Sequence, residues 1–255
     1  TRSQLVVSFI IACCIVAGAF AAPERAPLDP PTVNMLQFQR KPAEPPLQLT
    51  ADAVNSLAPD GWMVTDAMPC ELNGQAPREL VVVMSRVKDP STGDVPWSQR
   101  YAGPSKVVIV NEADITDSLA EFEVPGVAVP RDEAAKIPAP LFIDDLNADT
   151  LPEVFVRTRD GLWRHTNLIK WYRGRFVHAG RFGVQKAGGL YLLDMRESTP
   201  GEEAILLHPV WPESGIQQGP RPYRAVIFGW ANGYYVRIRD FTTSSKYEDP
   251  DRAFD

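Results

Sequence analysis

The chain has 255 residues, 44% hydrophobic and 23% charged, with a net charge of −6 and 24 prolines. That length buries a real core as one large domain or two small ones, and so many prolines argue against a helical bundle and for a strand-rich, loop-rich chain. An acidic balance with no Lys/Arg run excludes the phosphate-neutralising patch that a nucleic-acid partner requires.

Residues 1–22, TRSQLVVSFIIACCIVAGAFAA, carry Arg2 and then no charge from Leu5 through Ala22. Eighteen apolar residues are at the low end of a membrane span. Three readings stand: a retained anchor helix, which is preferred; a cleavable signal with Ala-Phe-Ala before Ala22 or Pro23; and a lipoprotein signal with Ala12 before Cys13. Each places the remainder outside the cytoplasm, periplasmic or at the cell surface, with Arg2 inside. Residues 23–49 read as a linker whose seven prolines favour an extended, semi-rigid path. Inside it VNMLQFQ carries Val33, Met35, Leu36 and Phe38, an apolar island suited to packing on the domain or on another protein. The globular part is expected over 50–255.

TADAVNSL, from Thr50, predicts a short helix capped by Thr50. Strand-like runs then dominate: 80–85, 106–111, 153–158, 168–174, 175–180, 189–194, 204–210, 224–230 and 234–241. Turn residues separate them at short intervals, the pattern of antiparallel hairpins. Residues 112–123, EADITDSLAEFE, are the one place where a helical turn or two is expected. Cys70 is the only cysteine of the soluble part and reads as a small buried side chain. Cys13 and Cys14 lie in the apolar segment.

Two internal repeats run through the chain. ELNGQAPRELVVV (71–83) aligns with DLNADTLPEVFV (145–156), so that Glu71, Asn73, Gln75 and Glu79 match Asp145, Asn147, Asp149 and Glu153. A degenerate third copy spans 194–207, with Asp194, Ser198 and Glu202 at the same offsets and Arg196 in place of the Asn. The second repeat is aromatic: Trp171, Gly174 and Phe176 have the spacing of Trp230, Gly233 and Tyr235. Each reads as a hairpin with Gly in the turn and aromatics on one face. Together they predict blade-like units beginning near 71, 145 and 194.

Asp145, Asn147 and Asp149 stand at loop positions one, three and five, the Leu151 carbonyl at seven and Glu153 at nine. This pattern, followed by an apolar strand, resembles the calcium loop of FG-GAP and VCBS repeats, found in integrin-type β-propellers and many exported bacterial proteins. The resemblance covers roughly residues 60–240. It implies short four-stranded antiparallel blades, calcium held by these five residues, and adhesion or assembly more than catalysis. Thr150 and Ala76 depart from the family's usual Gly at position six. Glu71 and Gln75 depart from its aspartates, and Arg196 stands where a ligand should. The bare alternative is a turn whose Asx side chains bond their own backbone.

No catalytic signature emerges. His165, His178 and His208 are scattered over strand-like runs without metal-ligand spacing. Ser214 lacks the glycines of a nucleophile elbow. Trp211, in a Pro/Gly-rich loop, is the best exposed aromatic candidate. The expected fold is all-β, an antiparallel propeller-like repeat domain of about three to four blades, behind an N-terminal transmembrane or signal helix. The expected role is that of a non-catalytic binding or scaffold protein. It would be tethered to the membrane by its N-terminus, as an accessory subunit of a membrane complex with protein partners. The alternative is an extracytoplasmic hydrolase or sugar-active enzyme on the same scaffold.

Overall fold

A computed structural model describes residues 47, 49–88, 96–130, 139–185, 188–193, 201–211 and 220–243. The expected anchor, all of the linker but Leu47 and Leu49, and the Ser214 region lie outside the described residues. Among the described residues no helix is long and apolar enough to cross a membrane.

The first element among the described residues is α1 (Ala51–Asn55), whose N-cap is Thr50; the Ala53 N–H donates to Thr50 Oγ1 at 3.2 Å, as the sequence predicts. Then come β1 (Trp62–Cys70), β2 (Glu79–Val87), a single turn α2 (Trp97–Arg100), β3 (Tyr101–Asn111) and β4 (Asp114–Val124). They form one antiparallel sheet in chain order. The second sheet is β5 (Leu141–Asp144), β6 (Glu153–Asp160), β7 (Trp163–Tyr172) and β8 (Arg175–Gln185), again in chain order. The third is β9 (Gly189–Leu193), β10 (Glu203–Pro209), β11 (Tyr223–Ala231) and β12 (Tyr234–Thr242). The described fold is therefore all-β, three four-stranded antiparallel meanders. Every predicted strand is present.

Residues 112–123 correct the expectation of a helical turn: they are mostly the edge strand β4. Ala120, Phe122 and Val124 alternate toward the core, while two register shifts against β3 break the alternation nearer the hairpin. That disturbed period is what hid the strand. β1 and β5 escaped the sequence reading because one carries Asp66 and Pro69 and the other is only four residues long.

Alternation of side chains assigns the faces. Val81 and Val83 of the first sheet meet Val154, Val156 and Ile169 of the second across one core, with Cys70 buried between them. Phe155 and Leu168 point the other way, onto Ala204, Leu206 and Val226 of the third sheet. The middle sheet is thus buried on both faces, which explains the unbroken apolar run Val154–Val156. The outer face of the first sheet, Leu80, Val82 and Met84, is covered by Val54 of α1 with Leu47, Leu49 and Leu57.

Candidate functional site

The loop connecting β5 to β6 is built from its own side chains. Asp145 accepts the N–H groups of Asp149 at 3.2 Å and Thr150 at 3.0 Å. Asn147 Oδ1 accepts the Asp149 N–H at 2.8 Å, and Asp149 Oδ1 accepts the Leu151 N–H at 3.0 Å. These bonds hold Ala148 and Thr150 in the left-handed region, at φ 57° and 75°, where a side chain is disfavoured. Of the five expected ligands, Asn147 bonds Glu153 directly and Asp149 reaches Glu153 through Lys170, while the Asp145 carboxylate bonds only the loop's own amides. Leu151 joins them through its backbone N–H.

Glu153 is the buried hub, with no exposed surface. Its Oε2 accepts the Leu146 N–H at 2.9 Å, and its Oε1 accepts from Asn147 Nδ2 at 2.5 Å and from Lys170 Nζ at 3.1 Å. The Lys170 ammonium also donates to Asp149 Oδ2 at 2.8 Å and lies 4.9 Å from the ring centre of Trp230 on β11. Burial pushes the Glu153 carboxyl up to about 7, against the pull of Lys170. Burial works to lower the Lys170 ammonium, but its bonds to Asp149 and Glu153 outweigh it and raise its pKa. Asp149 feels burial as well, yet Lys170 and the Leu151 amide hold it below the ordinary carboxylate range.

Lys170 is the functional residue that sequence reasoning missed. The signal was present: a lysine between Ile169 and Trp171 in an apolar strand is seldom buried without a paired carboxylate.

The first loop repeats the geometry. Leu72 N–H donates to Glu79 Oε2 at 2.8 Å and Gln75 N–H to Asn73 Oδ1 at 2.6 Å, matching the bonds of Leu146 and Asp149. Here, however, Glu79 Oε1 is buried with no hydrogen-bond partner among the described residues, and burial raises its pKa. The cation of this loop, Arg78, turns instead to Glu112 in the β3–β4 hairpin, donating from both Nε and Nη2. In the third unit the residue that leads the strand and pairs with the last residue of the preceding one is Glu203, not Glu202. Glu79 pairs with Cys70, Glu153 with Asp144 and Glu203 with Leu193. Residues 194–200 lie outside the described residues.

The loops line up at one end of the stack. A Cβ on Gly74 would meet Leu151 Cδ2 at 3.1 Å, and one on Gly201 would meet Asn147 Cα at 2.7 Å. Glu202 N–H donates to the Leu146 carbonyl at 2.7 Å. The two aromatic hairpins close the same end. Arg173 and Gly174, then Asn232 and Gly233, take positive φ at both central positions, as tight hairpins require. Trp171 packs on Phe176 at 4.9 Å and Trp230 on Tyr235 at 4.2 Å between ring centres.

Calcium takes six to eight oxygens at close range. As arranged, the β5–β6 loop does not fit it. Asn147 turns its N–H toward Glu153, and an ammonium is already bonded to both Asp149 and Glu153. Among the described residues no group of three or more His, Cys, Asp and Glu side chains is placed to hold a metal ion.

The histidines divide. Register puts His165 and Asn167 of β7 on one face with His178, Arg181 and Gly183 of β8. His165 Nδ1, His178 Nε2 and both amide atoms of Asn167 are buried with no hydrogen-bond partner among the described residues. Burial lowers both histidines, with Arg181 adding to the effect. His208 lies apart, on β10. Trp211 is half-buried, donating to Gln185 Oε1 at 3.3 Å with the Arg221 guanidinium 4.4 Å from its ring centre. No family model, no curated protein and no solved structure matches the chain.

Proposed function

We propose that this chain is a non-catalytic binding or scaffold protein, exported and tethered by its N-terminal segment, an accessory subunit of a membrane complex. Its sheets act as propeller-like blades that present surfaces to protein partners. The observation that supports this most is the edge of the third sheet at β12, which no other strand among the described residues pairs with. Tyr234, Val236 and Ile238 on β12 are 38%, 40% and 46% exposed, with Arg237 between the last two and Arg239 just beyond Ile238. An edge strand of this length and apolarity invites another chain unless it is blunted or covered. The acidic loops serve as structural fasteners at one end of the stack, since their polar groups are largely spent on one another. The charge-free stretch 5–22 supports the tether.

Purification of the tagged full chain from its native membrane fraction tests this reading. A defined protein partner is expected to co-purify. It should be lost with Val236→Glu/Ile238→Glu and kept with Asp145→Ala. Recovery of the chain alone would refute it.

The face carrying His165, Asn167, His178 and Arg181 favours the second reading, an extracytoplasmic hydrolase or sugar-active enzyme. Hydrolysis of ester or glycoside substrates that is lost with His165→Ala would establish it.

A further inference from the structure

We propose that Lys170 is a resident cation: its ammonium does for the β5–β6 loop what a divalent metal ion would otherwise do, which makes the loop independent of metal and locks it to the third sheet. The chemistry of the loop requires a positive charge. Asp145 and Asp149 in the loop and Glu153 at the head of β6 place three carboxyl groups within nine residues. Two of them reach Lys170, at 2.8 and 3.1 Å. Lys170 is only 4% exposed, so its charge is little screened by water and has those two carboxylates and the Trp230 ring as its partners.

An ammonium has three donors. Asp149, Glu153 and the Trp230 π-face account for its three directions of contact. Because Trp230 belongs to the third sheet, the same charge that closes the loop also ties the second sheet to the third. Nearby, Tyr235 O–H donates to the Glu202 carbonyl at 2.8 Å, and the Glu202 N–H returns to Leu146 of the loop.

The first loop is the internal control. Glu79, at the position of Glu153, pairs across to Asn111 of β3, whereas the strand pairing Val154–Ile169 puts Lys170 in the corresponding place beside Glu153. With Asn111 in that place, Glu79 keeps one oxygen without a partner among the described residues. The fold is therefore the same in the two units, and the presence of a cation follows the identity of one strand residue.

The test is thermal melting of the full chain at pH 8, in 5 mM calcium chloride and in 5 mM EDTA. The unaltered protein is expected to melt at the same temperature in both. Lys170→Met should melt about 10 °C lower in EDTA, the effect of stranding the buried Glu153 carboxylate. Calcium should restore most of that loss, because the variant leaves Asp149 and Glu153 without the cation they share, and Asp145 lies in the same loop to complete a site for one. Lys170→Met/Asp145→Asn should not recover. A calcium-dependent rise in the unaltered protein, an undiminished Lys170→Met, or a Lys170→Met that calcium leaves low would each overturn the proposal. Should Lys170→Met fail to fold in either condition, Asp149→Asn decides. It should melt a few degrees lower and ignore calcium, and an unchanged melting temperature would contradict the ammonium's role.

Discussion

Single residues carry the contacts between units. Gly201 sits at φ 96° with the Asn147 Cα and the Leu146 carbonyl oxygen 2.7 and 2.8 Å from where a Cβ would lie. Gly201→Ala should therefore lose about 3 kcal/mol in denaturant unfolding, from strain and collision together. Gly161→Ala, at φ 56° with open space around it, should lose only about 1 kcal/mol. Equal losses would deny the close approach of the third loop to the second. A further residue effect is set by pH. Burial and then Arg181 lower the pKa of His178 below the ordinary 6.5. The unfolded chain thus takes up the proton first, so stability present above pH 6.5 is lost as pH falls below it. His178→Gln should flatten the fall in melting temperature between pH 6.5 and 5, without abolishing it, because His165 and His208 are lowered too. An unaltered slope would contradict the burial of that ring. The sequence made the acidic positions of the loop readable, because Asp145, Asn147, Asp149 and Glu153 keep a fixed spacing. It did not reveal Lys170, which comes from a strand seventeen positions beyond Glu153 and meets it only through pairing.

At the scale of elements, strands with a buried face were legible and strands at the edge were not. β2, β6 and β10 are central strands with continuous apolar runs. β4 is an edge strand whose exposed face is Thr116, Ser118, Glu121 and Glu123, and its register shifts blur the period. Phe122→Ala should lose about 2 kcal/mol, since the ring packs on the core between the first two sheets. Leu119→Lys, on the exposed side, should change stability by less than about 0.5 kcal/mol. The reverse order would place 114–124 in some other conformation. The aromatic repeat was legible because each tip carries a Gly with aromatics at matched spacing around it, whereas the positive φ of Arg173 before Gly174 is not a choice that an Arg announces. The third acidic repeat was misaligned for a countable reason. Glu79 follows its partner Cys70 by nine positions and Glu153 follows Asp144 by nine, but Glu203 follows Leu193 by ten. One extra residue in the connection moves the strand-leading acid from Glu202 to Glu203.

Across the described residues, three successive meanders stack so that each inner face is used. The second sheet lies between the other two and makes both cores. Units counted from residues 71, 145 and 194 begin one strand too late against the three sheets, since β1, β5 and β9 precede those positions. Native-state hydrogen exchange on the full chain tests this arrangement most directly, because protection follows burial and pairing. The amides of Val154, Phe155 and Val156 in β6 and of Leu168 and Ile169 in β7 should exchange only through global unfolding. Those facing outward on β4 and β12 should exchange orders of magnitude faster. Exchange of the β6 and β7 amides at the rates of β4 or β12 would contradict a middle sheet held on both sides.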